Sequence, residues 1–236
     1  MFEFFAITVL PFIITAAVVI PLIIHVVQVQ KRRLAMIAGW AAARGYSFLQ
    51  ENRALVPYLQ GEPFVGGRSA KVTEFIDGVT PGGRTFCSFQ YSYVVSNGES
   101  STTVLRAIVM VRLPAVLPAL SLTREGFGDR VQKFFGGQDI ELESDDFNRL
   151  FRIKSPVEAF AYGVLHPRMM EWLMGPAYAM VPFRIDGQDV ICWREGKPDY
   201  ATLDGQLAAM TDFVNQIPPS VIEQYAAPPA LGWGPH

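Results

Sequence analysis

Three histidines, two cysteines and one dense acidic run are the residues best suited to chemistry in this 236-residue chain. His25 lies inside an apolar run, His166 precedes a proline and His236 is the last residue, so they form no local ligand set. No H-E-x-x-H, C-x-x-C, G-x-S-x-G or Walker glycine pattern occurs. Cys87 and Cys192 read as two small buried hydrophobes. The run Asp139 to Asp146 (DIELESDD) holds five acids in eight residues, a composition that suits a hard cation such as Mg²⁺ or Ca²⁺. Its spacing does not match an EF-hand. Alternation along a strand would place acids of one face roughly 6–7 Å apart, too far to share an ion easily, so a solvated acidic face is the better reading. The glycine pairs Gly66-Gly67, Gly82-Gly83 and Gly136-Gly137 lack the strand-loop-helix context that cradles phosphate. A paired-carboxylate site stays open, but no aromatic-lined acid pair stands out. The expectation is a non-catalytic protein with no cofactor and no metal.

Composition points to position before function. Half of the residues are apolar (50%) and only 18% are charged, with a mean hydropathy of +0.21. That excludes a disordered chain, and two cysteines exclude a disulfide scaffold. A net charge of −2 gives no basic field for nucleic acid.

The apolar excess is concentrated in Phe4 to Val27, 24 residues without Asp, Glu, Lys or Arg. At about 1.5 Å per residue this spans roughly 36 Å, enough to cross a hydrocarbon core of about 30 Å. A cleaved signal peptide is the rival, but Glu3 precedes the run, three cations follow it, and no A-x-A site marks its exit. A retained transmembrane anchor (residues 1–30) is therefore expected, beginning near Phe4. Lys31, Arg32 and Arg33 favour the cytoplasmic side and anionic headgroups, placing the N-terminus outside and the rest in the cytoplasm. Pro11 and Pro21 either kink the span for packing on other membrane helices or reflect the tolerance of such helices for proline. His25 reads as interfacial.

Residues 31–46 carry helical spacing and a stop at Gly45, a juxtamembrane amphipathic helix whose Trp40 and Arg44 could meet a membrane surface or a partner. Residues 47–225 read as an α+β domain. Ser69–Ile76, Thr85–Val95 and Ser101–Leu113 form an antiparallel meander with turns at Pro81-Gly82-Gly83 and Asn97-Gly98. In Thr85–Val95 the set Cys87, Phe89, Tyr91, Tyr93 and Val95 is the expected core face. Pro114 and Pro118 end or displace pairing, and Leu117–Thr123 is expected as an edge strand. Ser155, Pro156 and Glu158 read as a capping box opening a helix from Pro156 to Leu165. A second helix follows from Pro167 to Met174, where Met169, Met170 and Trp172 offer either an adaptable surface or core packing. Met180–Ile185 and Gln188–Trp193 look like a hairpin about Asp186-Gly187, with Pro182 pushing the first strand to an edge. Leu203, Leu207, Met210, Phe213 and Val214 mark an amphipathic helix ending at Pro218-Pro219. The tail, 226–236, is rich in Pro, Gly and Ala, and Trp233 could hold it against a partner.

The stretch Glu141 to Met174 resembles a family of uncharacterised bacterial proteins. That family shows an acid, then F-N-r-x-F-x-V, a helix with alanine, then L-x-P-x-l-m-x-x-L. The matching positions are Phe147, Asn148, Arg149, Phe151, Ile153, Ala159, Leu165, Pro167, Met169, Met170 and Leu173. The resemblance implies an α+β fold built on these packing positions and supplies no catalytic residue. The opening of the chain, one span, K-R-R, then W-A-x-x-x-G-Y at Trp40 to Tyr46, is similar to single-pass actinobacterial membrane proteins. Some of these accompany respiratory or envelope-transport complexes. Fifteen Arg against five Lys suit a high-GC genome. Together these readings lead to an accessory subunit in the lipid bilayer. Its expected host is a respiratory oxidase or supercomplex, with cytochrome oxidase or a bc-type complex as partner. The alternative is a membrane-tethered sensor module for lipid or protein.

Overall fold

The computed structural model describes residues 2–64, 68–96, 98, 100–124, 138–175, 180 and 182–227, with residues 2–16 described by backbone alone. The chain begins with one helix, α1 (Phe2–Ala42), and continues into β1 (Ser47–Glu51), β2 (Arg68–Val79), β3 (Thr85–Ser96) and β4 (Ser101–Arg124). There follow β5 (Gln138–Ile140), α2 (Asp145–Leu150), β6 (Phe151–Ser155), α3 (Glu158–Val164) and α4 (Pro167–Met174). The last elements are β7 (Phe183–Glu195), α5 (Tyr200–Gln216) and α6 (Pro219–Tyr225). The fold is α+β. Every strand pairing is antiparallel, in the order β1-β2-β3-β4-β6-β5, with β7 also on β4. Residues 106–111 of β4 pair with both β3 and β7, so those two strands flank it on opposite sides.

The meander β2-β3-β4 and its first turn, at Pro81-Gly82-Gly83, form as the sequence pattern predicts; Asn97 of the second expected turn lies outside the described residues. One expectation about its faces is corrected. Cys87, Phe89, Tyr91 and Tyr93 are buried, but so are Phe86 and Ser88 on the opposite face. A strand apolar on both sides must be covered on both sides. The Phe86 face joins the larger core, where α2 to α6 and the end of α1 pack. The Phe89 face forms a smaller core capped by Leu55 and Phe64 from the segment after β1. Cys87 and Cys192 fall in these two separate cores, so they remain buried thiols, and burial pushes both far from ionisation.

Leu117–Thr123 is not a separate edge strand. It is the second half of β4, held between β6 and β7. Pro114 and Pro118 fall between the end of the β3 ladder at Val111 and the start of the β6 ladder at Ser121, where neither ladder needs their missing N–H. Nor do the two halves of β7 pair as a hairpin; both pair with β4. From Arg112 to Leu120 the β4 strand advances eight positions while its partner advances four, from Asp189 to Ile185. The surplus is a bulge that bends the whole two-stranded ribbon. The bend is sharp. A straight strand would hold residues 182 and 193 roughly 36 Å apart, yet Trp193 N–H donates to the Pro182 carbonyl at 3.4 Å. Asp186-Gly187 therefore marks a fold in a ribbon, with Gly187 at φ +60°.

Two local starts also differ from expectation. Ser155 ends β6, and its hydroxyl donates to the Ala119 carbonyl at 2.8 Å and accepts from Val157 N–H at 3.1 Å. With that oxygen engaged by the sheet, no capping box forms, and α3 begins at Glu158 after Val157. The acidic run is a strand only as far as Ile140. Ser144 then caps α2 by accepting from Phe147 N–H at 3.3 Å, and Asp145 and Asp146 occupy the first turn, where the helix dipole favours them. α4 and α5 run as their spacing predicts, with His166 capping α4 through Nδ1 and Asp199 capping α5. In the Glu141–Met174 stretch, Phe147, Phe151, Ile153, Leu165, Met169 and Leu173 are core residues. Asn148 closes the loop before α2 with both amide ends on Leu142, at 3.0 and 2.7 Å. Ala159 is exposed, and the neighbouring Ala161 is the buried alanine.

The bend needs a residue at ease with positive φ. Gly187→Val should lower stability by about 2 kcal/mol in urea unfolding. Gly187→Asn, which tolerates the left-handed region, should cost about half as much.

Candidate membrane and partner interface

Helix α1 has two regimes. Arg33, Ile37, Trp40 and Ala41 recur at helical spacing on one face, with Arg44 in the turn that follows, and this last third docks on the domain. Ile37 and Ala41 are buried. Upstream, residues 17–32 are exposed on every side of the helix, including Val18, Ile20, Leu22, Ile23, Ile24, Val26 and Val29. A helix apolar all round is suited to an apolar environment all round. The helix passes Pro11 and Pro21 as one element, and Pro21 and His25 lie in the exposed part. The side chains of Phe4 and Pro11 lie outside the described residues, as do Trp233 and His236. Among the described residues no helix is long and apolar enough to cross a membrane. Thirteen residues of the apolar run, 4–16, fall outside that description.

The dock is built around a buried carboxylate. A bulge between Thr73 and Ile76 of β2 puts Glu74 at φ +52° and turns its side chain toward α1. Glu74 is 3% exposed. Arg33 donates to it through Nε and Nη2, both at 2.8 Å, and through Nη2 to the Pro198 carbonyl at 3.2 Å. Tyr200, the first residue of α5, donates its hydroxyl to the Glu74 carbonyl at 3.1 Å and lies 3.3 Å from the carboxylate. Three elements thus meet at one anion. The hydrogen bonds to Glu74 raise the Arg33 pKa, and burial followed by the Glu74 charge pushes the Tyr200 phenol well up.

An aromatic stack continues the dock. Trp40 sits 5.8 Å from Tyr200 and 5.9 Å from Tyr46, and Tyr46 meets the edge of Phe86 at 4.8 Å. Gly78 makes room: a Cβ there would lie 2.5 Å from the Tyr46 ring. The Arg44 guanidinium covers Trp40 at 4.1 Å and pairs with Asp204 at 2.7 Å.

These contacts correct several expected roles. Lys31 and Arg32 are exposed at the end of the apolar run, but Arg33 is not a headgroup contact, because Glu74 holds it. Trp40 packs against the domain, and Arg44 covers it while remaining exposed. Met169 and Met170 are core residues, not surface ones. Trp172 alone of that cluster stays half-exposed, lining a groove of about 500 Å³ between α4 and α5 with Arg168, Glu171, Asp212, Asn215 and Gln216. Glu74, Tyr200 and Asp204 escaped the sequence reading, since 41 and more residues separate each from its partner, Arg33 and Trp40 on α1 and Arg44 just after it.

Among the described residues no group of three or more His, Cys, Asp or Glu side chains is placed to hold a metal. Asp189 on β7 has its pKa raised to about 6 by burial, against the opposing charge of Arg112 at 3.3 Å. It lines neither the α4–α5 groove nor a cavity of about 70 Å³ beside Pro198 and Tyr200.

No family model matches the chain, and no curated protein does. One solved structure does match: the crystal structure of the mycobacterial trehalose monomycolate transport factor A, TtfA. The chain shares that fold. The TM-score is 0.57 at 11% identity, over 82% of this chain and 96% of the other.

Arg33→Ala should destabilise the protein by about 2–3 kcal/mol, because it strands the Glu74 carboxylate; the 30% exposure of the Arg33 side chain keeps the loss below that of a fully enclosed pair. Arg33→Met combined with Glu74→Leu should recover most of the loss in chemical denaturation. Asp189 supplies a pH test. Its folded pKa is above its unfolded value, so the folded state holds a proton that the unfolded chain releases between about pH 4 and 6. Stability should therefore fall by roughly 2–3 kcal/mol as pH rises through that window, and Asp189→Asn should flatten the slope.

Proposed function

We propose that this chain is a non-catalytic accessory factor anchored in a membrane by α1, serving a larger membrane assembly that moves cell-envelope material. The supporting observation is the pairing of an exposed, all-round apolar helix with a firm dock onto a folded domain. With Phe4–Val27 in the bilayer, Lys31 and Arg32 would lie at the headgroups and the clamp at Arg33 just below them. The N-terminus outside and the domain in the cytoplasm follow from the same cations. The likeness to a transport factor supports a transport host, and it is mycobacterial, in keeping with the Arg-rich composition.

The respiratory oxidase or bc-type host expected from the sequence has no counterpart in that likeness. A membrane-tethered sensor remains the second reading, favoured by the α4–α5 groove. Catalysis is part of neither reading.

Affinity purification of the tagged full chain from mild detergent, followed by mass spectrometry, tests the proposal. Stoichiometric recovery of a polytopic transporter is expected. Recovery of cytochrome subunits would restore the respiratory host, and recovery of the chain alone would overturn the accessory role. Alkaline carbonate should leave the protein in the membrane pellet; release into the supernatant would remove the anchor.

A further inference from the structure

The groove between α4 and α5 is built from two matching helical faces. Arg168, Glu171 and Trp172 stand at i, i+3 and i+4 on one helix; Asp212, Asn215 and Gln216 stand at the same spacing on the other. Its walls are fixed from outside. His166 caps α4 and its Nε2 lies 3.4 Å from the Gln216 carbonyl. Arg84 Nη2 donates to Asn215 Oδ1 at 2.7 Å, which leaves the Nδ2 end of that amide as a donor. Trp172 rests against the main core, so the indole has a firm backing.

The chemistry of this set is specific. One indole lines the groove among two carboxylates, two amides and a guanidinium, groups that between them accept and donate hydrogen bonds. The net charge of one cation against two acids disfavours phosphates and other anions. The polar walls disfavour an acyl chain. A pyranose ring has the complementary form, with an apolar C–H face for stacking on the indole and vicinal hydroxyls for the carboxylate and amide pairs. About 500 Å³ accommodates two such rings. We infer that the α4–α5 groove is a carbohydrate-binding site for a neutral disaccharide unit, with Trp172 as the stacking platform and Asp212 and Asn215 as the principal hydrogen-bonding groups. The inference goes beyond the accessory role and stands on the groove alone.

The full chain in phosphatidylethanolamine–phosphatidylglycerol nanodiscs, free of sugar-headed detergent, would be titrated with trehalose, maltose and sucrose by calorimetry, with acyclic sorbitol as control. At least one disaccharide should bind saturably with roughly millimolar affinity, and sorbitol should not. Asp212→Ala, at an exposed position, should weaken binding about tenfold without shifting the unfolding temperature; Asn215→Ala, which also releases Arg84, should weaken binding to a similar degree at some cost in stability. Trp172→Leu keeps an apolar side chain against the core and should abolish binding. The inference is overturned if no disaccharide binds up to tens of millimolar, if sorbitol binds as well, or if binding survives these variants. Pull-down of a transporter is independent of every one of these outcomes, so the two readings fail separately.

Discussion

One carboxylate organises this molecule. Glu74 is almost wholly enclosed in protein, so its carboxyl group has to be matched locally. The match comes from a helix at the start of the chain and from a tyrosine at the start of α5. Arg33 satisfies both oxygens with its planar fork, a geometry that lysine could not reproduce. The β2 bulge exists at the same place and directs the carboxylate outward from the ladder. Remove any of the three and the others lose their reason for position. The aromatic stack of Trp40, Tyr46 and Tyr200 then fills the space between helix and sheet, so the polar clamp and the apolar contact hold the same surface in register.

A second constraint is the length of β4. Twenty-four residues in a straight strand would extend roughly 80 Å, far beyond the size of a domain of this length. The bend at Pro114–Gly187 resolves this. It wraps the β4–β7 ribbon around the larger core and brings Phe183 onto Phe213 of α5 at 4.8 Å. It also lets one strand serve three neighbours, β3 and β6 in succession on one side and β7 along the other.

Local signals in the sequence carried local structure. Pro81-Gly82-Gly83, the β-branched and aromatic run of β3, the Pro167 start of α4 and the apolar spacing of α5 each depend on residues within a few positions of one another. The failures have a common origin in tertiary competition. Asp186-Gly187 carries the chemistry of a hairpin turn, and only the presence of β4 converts it into a bend. Ser155 has the form of a helix cap, and only the Ala119 carbonyl diverts its hydroxyl. Arg33 looked like a membrane contact because its partner lies 41 residues away on a bulge that no pattern announces. The α4–α5 groove was half legible: Trp172 stood out, but Asp212 and Asn215 read as the solvated face of an amphipathic helix.

The absence of a hinge between the apolar end of α1 and its docked end has a dynamic consequence. The helix enters the domain without a loop, a glycine pair or a change of axis partner, so bending it would mean breaking the clamp. With the apolar end in a bilayer, as proposed, the domain would keep two cheap motions, drift in the plane and rotation about the normal. Height and tilt would be fixed in advance. A neighbour in the same membrane would then meet this domain with much of its orientational freedom already surrendered, and the encounter would begin with a smaller entropic barrier than the same surface would face in free solution.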